Sequence, residues 1–483
     1  MGKDTSTAIS SVESLERSPL QNVSLFRRVF HGTLVQVLIV GLVSCMNPGI
    51  WNALNSLGAG GEESPFLVNA ANAITFGIMV FGCTAGGIVS NKIGLKWTLV
   101  LGTLGYPCYS ASLYTNNRYG TVWFVLFGAV TCGFSASMLW ASEAAIALGY
   151  PEHKKRGRYV GIWLGIRGCG SLIGGSINLA LNSKNAKTGK VGYTTYLVLI
   201  AIQCCGLPFA LLLSPPDKVI RDDGTKVPNL KHTTWLKEGK AIWRLIRTRR
   251  ILLLIPIFIV GNWGSTYTSN YFATYFSVRG RALGSFLTAV AGISGDLLTG
   301  LALDYEPWKR SFRAKIVWVW LLSLILGLWI WQTTNQVLYD RTSPKLDWIT
   351  PGFGRGFAPY ILWSFASESL NTYLYWTMGT LDDGVGTLAR TTGLLRSFES
   401  LGSTFAFVTS ATHWKYINTL ILAFALFVFQ IPFTTTAAWS VPEKPFVGDE
   451  QREAEEAEAD SRGEADSDSE KGAGVAVGKG VVV

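Results

Sequence analysis

About twelve long apolar stretches, joined by short polar turns, constrain this chain more than any single motif. A helix needs about 20 apolar residues to cross a hydrocarbon core, and a spanning segment must satisfy its backbone internally. The stretches lie near residues 30–54, 65–91, 95–115, 119–149, 157–182, 191–213, 251–276, 281–303, 313–334, 353–380, 385–411 and 414–439. The 483 residues are 48% hydrophobic and only 15% charged, which places the chain among polytopic membrane proteins. The expected fold is therefore all-α, with twelve transmembrane helices. The first stretch follows a polar leader that lacks a small-residue cleavage pattern, so it reads as a first span and not as a removed signal.

The chain repeats itself. Ala141-Ser142-Glu143 followed by Arg167-x-x-x-Ser171-Leu172 returns as Ala366-Ser367-Glu368 followed by Arg396-x-x-x-Ser400-Leu401. The repeat predicts two related six-helix bundles, 30–213 and 251–439. Between them lies a polar linker, 214–250, whose Trp235, Leu236, Ile242, Trp243 and Ile246 among Lys and Arg predict an amphipathic surface helix. The tails, 1–29 and 440–483, are polar, the second with an acidic run from Glu450 to Asp460; both read as disordered. Carboxylates and guanidiniums inside apolar stretches are costly in lipid and belong in an interior or a water-filled cavity. Repeated halves with polar groups at that depth suggest a transporter body.

Net charge is +10. Lys92 to Lys96, Lys154-Lys155-Arg156-Arg158, the stretch from Lys218 to Arg250 and Lys309-Arg310-Arg313-Lys315 share one side if the helices alternate. By the positive-inside rule that side is cytoplasmic and carries both termini; Lys184, Lys187, Lys190, Arg279 and Arg281 run against it. Membrane topology accounts for the basic charge without nucleic acid. Seven cysteines and four histidines have no disulfide or metal spacing, and no phosphate-cradling loop occurs, so neither a metal, a cofactor nor an enzymatic reaction is expected.

Gly87-Ile-Val-Ser-Asn91-Lys92-Ile-Gly94-Leu-Lys96 resembles the G-x-x-x-D-R-x-G-R-K loop of the major facilitator superfamily, with Asn91 and Leu95 as departures. Gly300-Leu-Ala-Leu-Asp304 stands at the corresponding place in the second half. Pro48-Gly49-Ile50-Trp51-Asn52-Ala53-Leu54-Asn55-Ser56-Leu57-Gly58-Ala59-Gly60-Gly61 resembles the P-G-M-F/Y-N-A-L-x-x-L-G-G-G-G signature of the Unc-ninety-three-like branch. Leu139-Trp140-Ala141-Ser142-Glu143 with Tyr150-Pro151 and Arg156-Gly157-Arg158 is similar to the same branch. The resemblance implies the major facilitator fold, two six-helix bundles around a cavity, with Gly87, Asn91, Lys92, Gly94, Lys96, Gly300 and Asp304 in gating loops. Some members are regarded as carriers of solutes or ions and others as non-transporting partners of channels or receptors. Gly157, Gly161 and Gly165 at four-residue spacing predict close helix packing.

Thr392, Arg396, Glu399 and Ser403 fall on one stripe of the eleventh span. With Arg167, Glu143 and Glu368 they predict a Glu-Arg pair in each half across adjacent helices. One reading makes them a cavity wall, joined by Asn52, Asn262, Trp263 and Tyr267, in which the arginines attract a polar or anionic solute. Glu143, Asp296, Glu368 and Glu399 are then the candidates for proton coupling. The other reading makes them clamps, with Arg396 bonding Glu399 on its own helix. Two functions stay open: a secondary transporter of a small solute or ion, or a non-transporting regulator that meets other membrane proteins through its tails or linker.

Overall fold

A computed structural model describes residues 24–443 apart from 58–59, 61–64, 152–155, 185–190, 222–226, 228–234, 306, 381–384 and 413. Most of both tails, residues 222–226 and 228–234 of the linker, and Lys154, Lys155, Lys187 and Lys190 therefore lie outside the described residues. Among those described there are helices and two isolated bridges, Gly32 to Ile220 and Phe276 to Leu346.

A short surface helix, α1 (Leu25–Phe30), leads into the first crossing. This comprises α2 (Thr33–Ser44), a π-helical turn (Cys45–Gly49) and α3 (Ile50–Asn55). Pro48 removes a backbone donor inside that turn, and the Asn47 side chain donates to the Val43 carbonyl at 3.2 Å. Next come α4 (Pro65–Ile93), the broken pair α5 (Leu95–Gly102) and α6 (Gly105–Tyr119), α7 (Val122–Gly149), α8 (Arg156–Asn182), and the broken pair α9 (Tyr193–Cys204) and α10 (Gly206–Leu212). After the linker helix α11 (Trp235–Ile246), the second half runs α12 (Arg249–Val260) with α13 (Trp263–Tyr275), α14 (Val278–Leu303), α15 (Arg310–Thr342), α16 (Phe353–Gly379), α17 (Val385–Ala411) and α18 (Tyr416–Trp439). Eight of these crossings are long and apolar enough to span a membrane by composition. The four that fall short, α5 with α6, α8, α16 and α17, are the more polar ones, and three of them supply the arginines and glutamates that line the cavity described below.

Buried apolar side chains form two clusters. One runs from Val37 to Val219 with Val278 and Ala282 added from α14, and the other from Ile251 to Ala438. Ile242, Leu245 and Ile246 of α11 pack on the second, while Trp243 faces outward with the Arg247 guanidinium over its ring. Arg221, buried at the start of the linker, donates to the carbonyls of Gly149 (2.8 Å) and Tyr150 (2.9 Å), which fastens the linker to the end of α7.

Close helix approach does not follow the expected glycines. A side chain at Gly87, Gly161 or Gly165 would meet nothing within 4 Å. The contact is carried instead by Gly170, whose Cβ would come 2.1 Å from the Cys45 carbonyl, and by Gly175, 2.7 Å from the Ser285 carbonyl. Gly161 and Gly165 face an open side, Gly157 lying outside the residues whose surroundings are described; the glycines that matter follow them on α8. Gly94 adopts φ 86°, the left-handed geometry that lets α4 turn into α5. Asn91 and Lys92 close α4, the side chain of Asn91 lying outside the described residues. Arg279 and Arg281, which stood against the charge pattern, are both engaged. Arg279 pairs with Asp347 and holds that carboxyl below the usual range. Arg281, almost fully buried, donates through Nε to the Leu57 carbonyl at 2.5 Å.

Candidate functional site

A cavity of about 290 Å³ lies between the two halves. Its wall combines Asn52 of α3 and Arg167 of α8 from the first half with Asn262, Asp296 of α14, Glu368 of α16, and Arg396 and Glu399 of α17 from the second. The ionisable residues sit well inside their helices, away from either end.

The charge pairs differ from the pattern the repeat suggests. Arg167 reaches across to Glu368 of the other half, with Nη2 3.3 Å from Oε2, and does not pair with Glu143. Arg396 pairs with Glu399 on its own helix, with Nη1 at 2.8 and 2.6 Å from the two carboxylate oxygens. A spacing of three on a helix makes that the nearer partner. Asn262 donates to Glu399, and Thr372 Oγ1 donates to Asp296 at 2.5 Å. Two arginines and three carboxylates thus line the space, and each arginine already has a carboxylate.

Three expected cavity residues lie elsewhere. Glu143 has no exposed surface and is sealed in the first half's interior. Trp263 belongs to the second apolar cluster, and Tyr267, in the same cluster, donates its hydroxyl to Gln336 Oε1 at 2.7 Å. Tyr267, Tyr271, Tyr275 and Tyr339 form a packed aromatic group inside the second half, so the four-residue aromatic repeat marks packing and not a solute wall.

Trp140 is the residue the sequence reading missed. Its ring stands under Arg396 at 3.9 Å and Arg167 at 5.6 Å, one guanidinium from each half. It is legible only as the residue one position before the repeated Ala-Ser-Glu, on the same helical turn. Trp51, Trp363 and Tyr360 add further aromatic wall, and Phe76 stacks on Phe407 at 5.5 Å across the halves.

Beyond those rings, on the side away from the chain ends, polar contacts join the halves. Ser285 Oγ donates to the Ala53 carbonyl (2.9 Å) and meets Ser56 Oγ at 2.8 Å. Asn178 Nδ2 donates to Ser285 Oγ (3.0 Å), Tyr360 to the Ser56 carbonyl (2.8 Å) and Asn69 Nδ2 to Asn270 Oδ1 (3.0 Å). The buried Arg281 closes on Leu57 at the same level. At the opposite end of α14, Asp304 is exposed, and Arg313 donates to the Leu303 carbonyl at 2.6 Å. Gly300 has open space around it.

A family model of the Major Facilitator Superfamily matches residues 32–407. Notoamide biosynthesis cluster protein O' of Aspergillus versicolor is 36% identical over 383 residues, 79% of this chain and 83% of that protein. An UNC93-like protein of Schizosaccharomyces pombe is 30% identical over 447 residues, 91% of this chain and 88% of that one. UNC93-like protein 1 of Arabidopsis thaliana is 29% identical over 413 residues, covering 83% and 89%. Among solved structures, the D-xylose-proton symporter aligns with a TM-score of 0.55 at 12% identity, over 88% of this chain and all of that one. FucP, a transporter in the outward conformation, aligns with a TM-score of 0.55 at 13% identity, over 84% and 98%. Likeness at such identities concerns the fold.

Proposed function

The chain belongs to the major facilitator superfamily, in its Unc-ninety-three-like branch, and on that premise we propose that it carries a small solute across a membrane by alternating access. Two bundles, corresponding to the two apolar clusters, rock about the cavity between them. One observation supports this above the rest: ionisable side chains from both bundles meet in a cavity of small-molecule size, and one ion pair, Arg167 with Glu368, bridges them.

The pairing changes the solute class. An anion gains little from guanidiniums that carboxylates already neutralise, whereas three carboxylates against two arginines, with tryptophan and tyrosine faces, suit a neutral or cationic organic solute. One relative is named for a biosynthesis cluster, which fits an organic cargo. Asp296, Glu368 and Glu399 face the cavity, where each can exchange a proton with its water. Basic side chains on the side of the chain ends, Arg27, Arg28, Lys92, Lys96, Arg244 and Lys309 among them, favour a cytoplasmic location for both termini.

The competing reading, a non-transporting partner of other membrane proteins, draws on Asn91 and Leu95 in the first gating loop. A thermal-stability panel separates the two. Purified protein is heated with organic cations, sugars, amino acids, organic anions and metal ions at two pH values; a ligand that binds the folded state raises Tm by mass action. The transport reading expects a neutral or cationic organic hit that disappears in Arg396→Ala. A flat panel on well-folded protein favours the partner reading.

A further inference from the structure

The linker helix α11 has two unlike faces. Ile242, Leu245 and Ile246 pack on the core of the second half. Lys240, Trp243, Arg244 and Arg247, at i, i+3, i+4 and i+7, share the opposite face and are all exposed. The Arg247 guanidinium stands over the Trp243 ring at 4.6 Å, and none of the three cations pairs with a carboxylate among the described residues. A solvated cationic face needs no partner. What points to one here is the course of the chain beside it.

α12, into which α11 leads, packs along α18, and α18 packs in turn on α15. The end of α18 is therefore a neighbour of both α11 and the basic start of α15. After that end the chain stays on the body: Val441 is buried, Lys315 stands over the Trp439 ring at 5.8 Å, and Ser311 Oγ donates to Glu443 Oε1 at 2.5 Å. That hydrogen bond, with the backbone at the start of α15 and Lys309 nearby, holds the Glu443 carboxyl below its ordinary value. The first acidic residue after the last span is thus already seated on a basic corner. Beyond it, the sequence from Asp449 to Glu470 holds eleven acidic residues against two arginines. Asp449 lies six residues past Glu443, an extended reach of about 20 Å, and a helix with its side chains is only about 10 Å across.

We propose that the exposed face of α11 is the docking surface for this chain's own acidic segment, residues 449–470, with Lys240, Arg244 and Arg247 as its partners and Lys309 beside its root. Each exposed pair contributes little and is screened by salt. The tether makes the difference: a segment on so short a leader meets the face at a millimolar effective concentration, which favours it over a free acidic partner. Rooted on α18 and crossing to α11, the segment straps the linker between the halves to the second of them. Anionic lipid headgroups are the rival occupant of a face that combines tryptophan with arginine. The strap stands under either reading of function, and its test uses no solute.

The test is carbodiimide cross-linking of the purified full chain in phosphatidylcholine nanodiscs, followed by mass spectrometry. The reagent joins an amine directly to a carboxylate, so Lys240 and Lys309 report what lies against them. The expected result is peptides that join Lys240 or Lys309 to residues 449–470. Their yield should fall about fivefold or more in about 0.5 M salt, where the Debye length is about 4 Å, and by as much when Glu453, Glu455, Glu456 and Glu458 are all replaced by Gln. Those four substitutions leave the folded body untouched. The yield should persist when phosphatidylserine is added to the nanodiscs. Absence of these cross-links at low salt overturns the strap, as does a yield indifferent to salt and to the four substitutions. A yield that collapses with phosphatidylserine gives the face to lipid and overturns it equally.

Discussion

Arg396 answers to two demands at once. It pairs with Glu399 as a clamp would, and it lines the cavity over the Trp140 ring as a solute-facing group would. Its neutral replacement should separate these roles. Arg396→Ala is expected to cost about 2–4 kcal/mol, because it leaves the largely buried Glu399 with only Asn262, and to abolish flux even where the protein stays folded. Flux equal to wild type would assign Arg396 to the clamp alone. Arg167 and Glu368 are tested as a pair. A double-mutant cycle with Arg167→Gln and Glu368→Gln should return a coupling of about 1 kcal/mol in thermal or chemical unfolding; additive single mutants would remove the bridge from the account. The polar residues of this site were visible in the sequence because charge in an apolar stretch has to be explained. Their partners were not, since the repeat of Ala-Ser-Glu and Arg suggested equivalent pairs, whereas helix packing buried Glu143 and left Glu368 on the cavity wall.

Close packing on α8 fixes where the first crossing can break. Gly170 leaves room for the Cys45 carbonyl, so a side chain there collides with backbone that cannot step aside. Gly170→Val should destabilise by about 1–3 kcal/mol or more, read as a lower Tm, while Gly161→Val, with open space around it, should leave Tm nearly unchanged. Equal effects at both positions would contradict the packing described. At the far end of the same crossing, α3 is gripped by Arg281 and Ser285 of α14. Ser285→Ala combined with Arg281→Ala should loosen that side, read as faster labelling of a cysteine placed at Ser269 by an impermeant thiol reagent. The spans were legible from apolar length, but the break at Pro48 was not, because that stretch is apolar throughout and reads as one continuous span. The grip was not, because Arg281 reads in the sequence as an outer-loop charge and becomes a buried donor only once α14 lies against α3.

For the whole molecule, the proposed opening and closing of the cavity requires two half-bodies and a linker to hold together on one side. His31 is part of that fastening: its Nδ1 meets Ser214 Oγ at 2.7 Å and its carbonyl accepts from Ile220 at 2.9 Å, tying the start of the chain to the linker. Burial, with Arg27 and Lys218 nearby, holds the imidazole below its ordinary value. The unfolded chain then binds the proton more readily than the folded one, so this contribution is present above the ordinary value of about 6.5 and is lost as pH falls below it. Tm should decline over that acid range, and less so in His31→Gln; an unchanged decline would clear His31 of the effect.

Alternating access requires that the cavity be reached in turn from both sides of the membrane. A cysteine at Ser367, on the cavity wall, in a chain whose exposed Cys169, Cys204 and Cys205 are replaced, reports that access. An impermeant thiol reagent is applied to one face at a time in oriented vesicles. Labelling is expected from either face, with the ratio shifted by the ligand that raises Tm. Labelling from one face alone, whatever ligand is present, would contradict it.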